Sequence, residues 1–389
     1  MSVTAARGFV ANGLSCNIKA SGAADLALVA SESGAAYVAA GTFTTNKAAA
    51  APVQVSRAHL QTSGGRAGAV ILNSGCANAA TGAAGLAAAR QTCAALGARL
   101  GLDPSHVLVC STGLIGDQLP LDRLLSGLDD LVEGRRASRD GAAAAARAIM
   151  TTDTHEKEVV VEADGFVVGA MAKGAGMIAP NMATMLAVLT TDAACGAEEL
   201  ADALRGAVAV TFNELTVDGC TSTNDTVLAL SSGLGARPAP GALGEAMTEV
   251  CGALAMALAE DAEGTTRVAR IIVRGASSNE DARRAARRVA ESNLVKTSLY
   301  GADPYWGRIL SELGSSGADF ELERAEIAYG GIVACRGGAE AAHDRSEAAA
   351  HLSGRVVEIT CDLGLGVGEA AVLTCDLGHG YIDENMRTS

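Results

Sequence analysis

Between two apolar runs, 167–172 and 186–189, the chain carries Lys173-Gly174-Ala175-Gly176-Met177-Ile178-Ala179-Pro180-Asn181-Met182-Ala183-Thr184-Met185. The flanking runs read as strands, the second ending at Thr190-Thr191-Asp192. The connection cannot be a regular helix, because Pro180 lacks an amide donor and restricts the residue before it. Gly174 to Ala179 does fit the G-x-G-x-x-G/A dinucleotide fingerprint, follows a strand, and has Asp192 near the expected acidic position. That fingerprint needs a helix that starts at the glycines and runs for several turns. Pro180 falls within the second turn and the next strand begins about six residues later, so the nucleotide reading fails. What remains is a strained, water-poor connection ending in one hydroxyl, that of Thr184. Spacing alone allows two readings, a structural loop whose Thr caps a strand or a reactive segment.

The 389 residues suffice for one large domain or two ordinary ones. Only 3% are aromatic, so the core must be built from Ala, Val, Leu and Ile with close backbone packing, which the 46 glycines permit. A formal charge of −14 argues against nucleic acid or an anionic membrane as partner. The ten cysteines are scattered without CxxC spacing, which points to buried thiols in a reducing cytoplasm rather than to a disulfide framework or a metal site. Met1 to Arg7 lacks the apolar core of a signal peptide. No apolar stretch near twenty residues stands out as a membrane span. Alternating strand and helix patterns predict layered α/β architecture. Strands are expected over 25–30, 35–43, 69–72, 107–110, 227–230, 267–273, 356–360 and 370–374, with a hairpin over 158–168. Helices are expected over 86–100, 121–132, 142–150, 198–210, 243–258 and 280–292.

Several polar segments follow strands. Asn73-Ser74-Gly75-Cys76-Ala77-Asn78-Ala79 and Ser111-Thr112-Gly113 read either as ordinary turns or as amide-lined cleft rims. A strand ending in Ser-Thr-Gly also lets a substrate approach the backbone, as an oxyanion site requires. The run 212–226 holds too many polar residues and glycines for a core strand and reads as a polar platform or multi-turn loop. Glu260, Asp261 and Glu263 crowd a helix C-terminus, where carboxylates oppose the macrodipole. They are either simply solvated or there to meet a cation.

Lys173 to Leu186, with Leu189-Thr190-Thr191-Asp192-Ala193, closely resembles the self-cleavage segment of the ornithine acetyltransferase family (ArgJ-type bifunctional glutamate N-acetyltransferase/amino-acid acetyltransferase). The resemblance runs from about Gly8 to Ser389. It includes Ile18-Lys19-Ala20-Ser21-Gly22, Phe43-Thr44-Thr45-Asn46, the Asn73 segment, Thr151-Thr152-Asp153-Thr154, the 212–226 run and Asp261-Ala262-Glu263-Gly264. It also covers Gly301-Ala302-Asp303-Pro304-Tyr305-Trp306-Gly307-Arg308, where Tyr305 replaces the usual Asn, and the tail from Asp376. The resemblance implies a two-lobed layered α/β sandwich of the ArgJ/DmpA-like type. The chain would cut itself between Ala183 and Thr184 into an α chain (1–183, the amino-terminal lobe with the oxyanion region) and a β chain (184–389, the substrate-binding lobe), assembled as an α2β2 heterotetramer.

It further implies that Thr184 is the nucleophile, that Thr112 and Gly113 form the oxyanion hole, and that Thr151 or Thr152, Lys173, Glu263, Asn385 and Ser389 contact substrate. Lys173 would pair with a substrate carboxylate and Glu263 with its amine. Acetyl would pass from N2-acetylornithine to glutamate through acetyl-Thr184. No metal or cofactor is implied, and acetyl-CoA is left open as a second donor.

Cleavage would begin with attack of the Thr184 hydroxyl on the preceding carbonyl, followed by hydrolysis of the ester. The freed α-amine, with a reference pKa of about 7.7–8.0, can take the hydroxyl proton, so no histidine base is needed. Three rivals share parts of this picture. They are an amino-terminal-nucleophile aminopeptidase or amidase with water as acceptor, a non-catalytic binding or regulatory protein, and a paralogue in a secondary pathway with another donor or acceptor.

Overall fold

The computed structural model describes residues 2–179 and 185–386. The predicted nucleophile Thr184 and the predicted contact Ser389 therefore lie outside the described residues. The chain forms two compact units. Of the described residues, one comprises 2–179, 185–213 and 220–258, the other 214–219 and 259–386.

The first unit holds two sheets. A four-stranded sheet runs in the order Phe9–Leu14, Leu26–Ser31, Ala69–Asn73, Val107–Ser111, with only the last pair parallel. A six-stranded sheet runs in the order Arg66–Ala67, Tyr37–Phe43, Thr226–Ser231, Leu186–Thr191, Phe166–Lys173, Lys157–Ala163. The period-2 alternation of side chains sorts the strand residues between cores. Ala27, Val29, Val70, Leu72, Leu108 and Cys110 meet Met171, Leu186, Val188, Leu228 and Leu230 in one core shared by the two sheets. The alternate positions Leu26, Leu28, Ile71, Val107 and Val109 face a second core with Cys93, Leu96, Leu124, Leu128 and Leu131 from helices. Both faces of the four-stranded sheet are thus covered, which explains the apolar runs of its Leu26–Ser31, Ala69–Asn73 and Val107–Ser111 strands. The Ala197–Val210 helix packs against the Tyr37–Phe43 strand.

The second unit is one seven-stranded mixed sheet, with Gly368–Cys375, Val268–Ala276 and Val356–Asp362 at its centre. Ala269, Ile271 and Val273 point into its core, with Ala282, Ala285, Ala286 and Val289 of the Asn279–Ala290 helix. The intervening Arg270 and Arg274 are exposed.

The mixed α/β class and the strand and helix expectations hold, with instructive exceptions. The helix expected over 121–132 is two short ones, Leu121–Ser126 and Leu128–Glu133, broken at Gly127. The strand Phe9–Leu14 was hidden by its Asn12-Gly13 turn signal. The helix Ala51–Thr62 was overlooked, although Pro52 in its first turn is a start signal. The Ala242–Glu260 helix is, by length and composition, long and apolar enough to cross a membrane, contrary to expectation. Its buried residues Leu243, Met247, Val250, Leu254 and Leu258 recur every three to four positions, the pattern of a helix with one core face.

The Leu186–Thr191 strand pairs in register with Phe166–Lys173 across the predicted cut, so the six-stranded sheet is built from both sides of it. Hydrogen bonding decides this. A hairpin partner is worth keeping in one sheet whether or not the connection is covalent.

Candidate active site

The Phe166–Lys173 strand ends on Lys173, which is buried. Its ammonium donates to Thr151 Oγ1 at 2.6 Å and to Thr112 Oγ1 at 3.2 Å, and lies 3.9 Å from Asp153 Oδ2. Residues drawn from three distant segments thus meet at one charge. Of the two open alternatives, Thr151 is the one whose hydroxyl meets Lys173 in this cluster, while Thr152 is exposed. Lys19, from the Ile-Lys-x-Ser-Gly element, ties the carbonyls of Ala24 and Met150 at 2.8 and 2.7 Å and so anchors the segment that begins at Thr151.

Asp153 organises the cluster. Its Oδ1 accepts from Lys157 Nζ and from the Gly174 amide, both at 2.7 Å, and its Oδ2 accepts from the Thr151 amide at 3.0 Å. The side chains of Asp153 and Lys157 are both fully buried. Burial pushes the Asp153 carboxyl up. The Lys173 and Lys157 charges and the hydrogen bonds from Lys157 and Gly174 more than offset this and hold it at about 2. The carboxylate is therefore a fixed anion that holds two ammonium groups and two backbone amides together.

The Ser-Thr-Gly turn after Val107–Ser111 is joined to the Asn73–Asn78 segment. The Thr112 amide donates to Asn73 O at 2.9 Å. That strand-end donor is therefore taken up by the neighbouring segment. The Thr112 hydroxyl accepts from Lys173 and keeps its own proton to give. Gly113 has φ +128°, and a Cβ there would lie 2.4 Å from Gly75 C and 2.6 Å from Cys76 N. Backbone meets backbone, so the two segments cannot part to make room. Asn73 and Asn78 are structural. Asn73 Nδ2 donates to Cys76 O and its Oδ1 accepts from Ser111 Oγ, while Asn78 Nδ2 donates to Gly85 O.

The 212–226 run supplies a second layer. Asn224 Nδ2 donates to Ala77 O at 2.7 Å and to Ser111 O at 2.8 Å, tying both turns to one side chain. Asp225 Oδ1 accepts from the Met185 amide at 3.0 Å. A cavity of about 20 Å³ is lined by Thr112, Lys173, Met185, Leu186, Ser222, Asn224 and Asp225.

In the second unit, Asn385 Nδ2 donates to Glu263 Oε2 at 2.7 Å, joining two residues predicted separately. Gly264 has φ +68°, and a Cβ there would lie 2.1 Å from Tyr381 N, so the glycine lets the loop carrying Glu263 pack on the Gly380-Tyr381 backbone. At the end of the Ala242–Glu260 helix a guanidinium meets backbone carbonyls. The Arg355 guanidinium donates to the carbonyls of Glu260 and Thr265.

The ArgJ family model matches residues 10–388. This chain belongs to the ArgJ family. The curated ArgJ relatives it resembles are named arginine biosynthesis bifunctional proteins. That of Mycobacterium tuberculosis is 48% identical over all of this chain and 96% of its own length. That of Thermobifida fusca is 46% identical over the full length of both. A solved structure described as ornithine acetyltransferase complexed with ornithine, from Mycobacterium tuberculosis, is 48% identical, covers 46% of this chain and 95% of its own, and has a TM-score of 0.44.

Within this ArgJ chain, the structure brings Thr112, Thr151 and Lys173, all named from the sequence, together with Asp153 and Lys157, and places Asn224 and Asp225 beside them; sequence reasoning named none of these last four. The signal for Asp153 was its place inside the quoted Thr-Thr-Asp-Thr segment. That for Asn224 and Asp225 was their density of hydrogen-bonding groups beside a core strand. All ten cysteines are thiols, eight of them buried. Among the described residues no group of three or more His, Cys, Asp or Glu side chains is placed to hold a metal ion. If the Gly113 segment forms the oxyanion hole that the resemblance implies, Gly113→Ala is expected to lower kcat about 10²–10³-fold, the cost of displacing one oxyanion donor, with KM changing far less. Steady-state kinetics on the folded variant checks this.

Proposed function

We propose that this ArgJ-family protein is an autoprocessed acetyltransferase that moves acetyl from N2-acetylornithine to glutamate through an acetyl-Thr184 intermediate. The observation that carries the reading is the meeting of Thr112, Thr151 and Lys173 within hydrogen-bond distance, directly beside the strand that resumes at Met185-Leu186. A buried ammonium held by two hydroxyls suits a substrate carboxylate, since desolvation strengthens the attraction. Gly113 and the Thr112 hydroxyl would stabilise the tetrahedral oxyanion. Glu263 would take the substrate amine, with Asn385 and Ser389 as further contacts, and either Thr151 or Thr152 would touch substrate. The names of the relatives, which place them in arginine biosynthesis, support the same substrates.

In this reading the chain divides into residues 1–183 and 184–389, the products assemble as α2β2, and the protein works in the cytoplasm on small molecules, without nucleic acid, membrane, metal or cofactor. The word "bifunctional" in the relatives' names supports acetyl-CoA as a second donor. A paired assay tests both points. With glutamate as acceptor, N2-acetylornithine should give N-acetylglutamate and ornithine in equal amounts, and acetyl-CoA should give N-acetylglutamate and free CoA. Ornithine release without glutamate, at the same rate, would identify an amidase instead. Product from acetylornithine alone would leave a one-donor enzyme.

A further inference from the structure

Lys19 brings another ammonium group to the cluster around Lys173. Its backbone is fixed by Asp25, whose carboxylate accepts from the amides of Cys16, Ile18 and Lys19 at 2.7, 2.6 and 3.0 Å. The half-buried side chain runs against Gly75, where a Cβ would lie 2.9 Å from Lys19 Cγ. Gly75 in turn backs onto Gly113. The Lys19 ammonium donates to Ala24 O and Met150 O. The Met150 carbonyl is bonded to Thr151, whose hydroxyl accepts from Lys173. Bond lengths and these two hydrogen bonds therefore place the Lys19 and Lys173 ammonium groups no more than about 12 Å apart.

An ammonium has three protons to donate. Two of those on Lys19 go to backbone carbonyls, and among the described residues it has no carboxylate in ion-pair contact. Asp153 already serves Lys157 and Lys173. Within this cluster of described residues, three ammonium groups thus meet two carboxylates, in a molecule whose formal charge is −14. Burial and the Lys173 charge hold the Lys19 ammonium below the ordinary lysine value, although Asp25 and Asp153 pull the other way. An excess of cations partly withdrawn from water attracts an arriving anion more strongly than the same charges in bulk water.

We propose that Lys19 binds the side-chain carboxylate of the acceptor amino acid and so selects a dicarboxylic acceptor. This rests on the reading above, in which Lys173 takes the α-carboxylate and glutamate receives the acetyl group. Glutamate carries its second carboxylate at the end of a short side chain. Glutamine has nearly the same size and shape but a neutral amide there. N2-acetylornithine carries an ammonium on its side chain, which Lys19 repels. A ping-pong cycle uses one site for donor and acceptor in turn, so a cation beside the α-carboxylate position helps ornithine give way to glutamate. Lys19 moves no proton in this role and sets specificity only.

The test supplies N2-acetylornithine as donor with glutamate or glutamine as acceptor, and takes kcat/KM for each acceptor from the acetylated product by mass spectrometry. The unaltered protein should favour glutamate. Lys19→Gln, which keeps a donor for the carbonyls and loses the charge, should lower the glutamate-to-glutamine ratio about 10–100-fold, the worth of a hydrogen bond to a charged group. Lys19→Arg, which keeps the charge, should hold the ratio within a few-fold. Lys19→Met serves the same comparison where Lys19→Gln does not fold. If both acceptors fall together in the uncharged variant and their ratio stays unchanged, the proposal is overturned and Lys19 is an anchor alone. An unaltered protein that accepts glutamine as readily as glutamate overturns it without any variant. Absence of transfer from N2-acetylornithine to either acceptor in the unaltered protein overturns the acetyltransferase reading on which the proposal stands.

Discussion

Thr184→Ala is expected to leave one intact chain of 389 residues where the unaltered protein gives two, 1–183 and 184–389. Mass spectrometry of the denatured proteins reads this directly. Acetyl transfer should fall to background in the same sample, because both the attacking oxygen and the freed amine that activates it depend on this residue. Thr184→Ser keeps a hydroxyl and should still cut, more slowly or faster but at the same bond. The two readouts separate the chemistry from its consequences. An intact chain with full transfer activity would remove the amino-terminal nucleophile from the mechanism. A cut chain in the Ala variant would mean that the bond is broken by another group. The pairing of Phe166–Lys173 with Leu186–Thr191 on either side of the proposed cut also predicts that the two products stay together after cleavage, since six registered residue pairs and a shared core would not depend on that bond. Gel filtration without denaturant should return both in one peak.

Asp153→Ala should have the largest effect on stability. It strands the fully buried Lys157 ammonium and removes the acceptor for the Gly174 and Thr151 amides. Breaking a buried pair from one side costs about 3–5 kcal/mol, which at roughly 2–4 °C per kcal/mol is a drop of the order of 10 °C in the melting temperature. Lys173 loses its neighbouring anion in the same step, so activity should fall even in the folded fraction.

The pH dependence follows from the direction of the shift. The folded pKa of Asp153, about 2, lies below its unfolded value of about 3.9, so its contribution is present above the unfolded value and is lost as pH falls towards 2. On the order of 2–3 kcal/mol is at stake. Asp225 works in the opposite sense. Its raised pKa favours the fold at low pH and contributes less as pH rises through the folded value. Thermal melts of the unaltered protein should therefore weaken between about pH 5 and 2, and Asp153→Asn should flatten that fall. An unchanged profile in Asp153→Asn would mean that the buried pair is not what acid disrupts.

Much of the framework was legible in the amino-acid order. The apolar runs 69–72, 107–110 and 186–189 are buried strands because a chain with so few aromatic residues can fill a core only with aliphatic ones. Pro180 ruled out a helix after Lys173 by its missing amide, and no helix is found over residues 174–179. Thr112, Gly113, Lys173 and the pair Thr151 and Thr152 could be named because their short segments resemble those of a known family; local chemistry alone left them open between turns and a site. What local pattern could not supply was how they meet. Lys173 lies 61 residues from Thr112 and 22 from Thr151, and only the stacking of two sheets brings those strand ends together. Asp153 looked like one acid in a polar turn. Its burial against Lys157 and its fixed charge follow from tertiary packing that excludes water. Asp225 looked like one more polar residue in a loop, and its carboxyl is buried only because the core closes over it. Periodicity and backbone chemistry are properties of neighbours in sequence, so the sequence by itself determined the elements. Burial, charge state and hydrogen-bond partners are properties of neighbours in space, so only the tertiary structure decided the site.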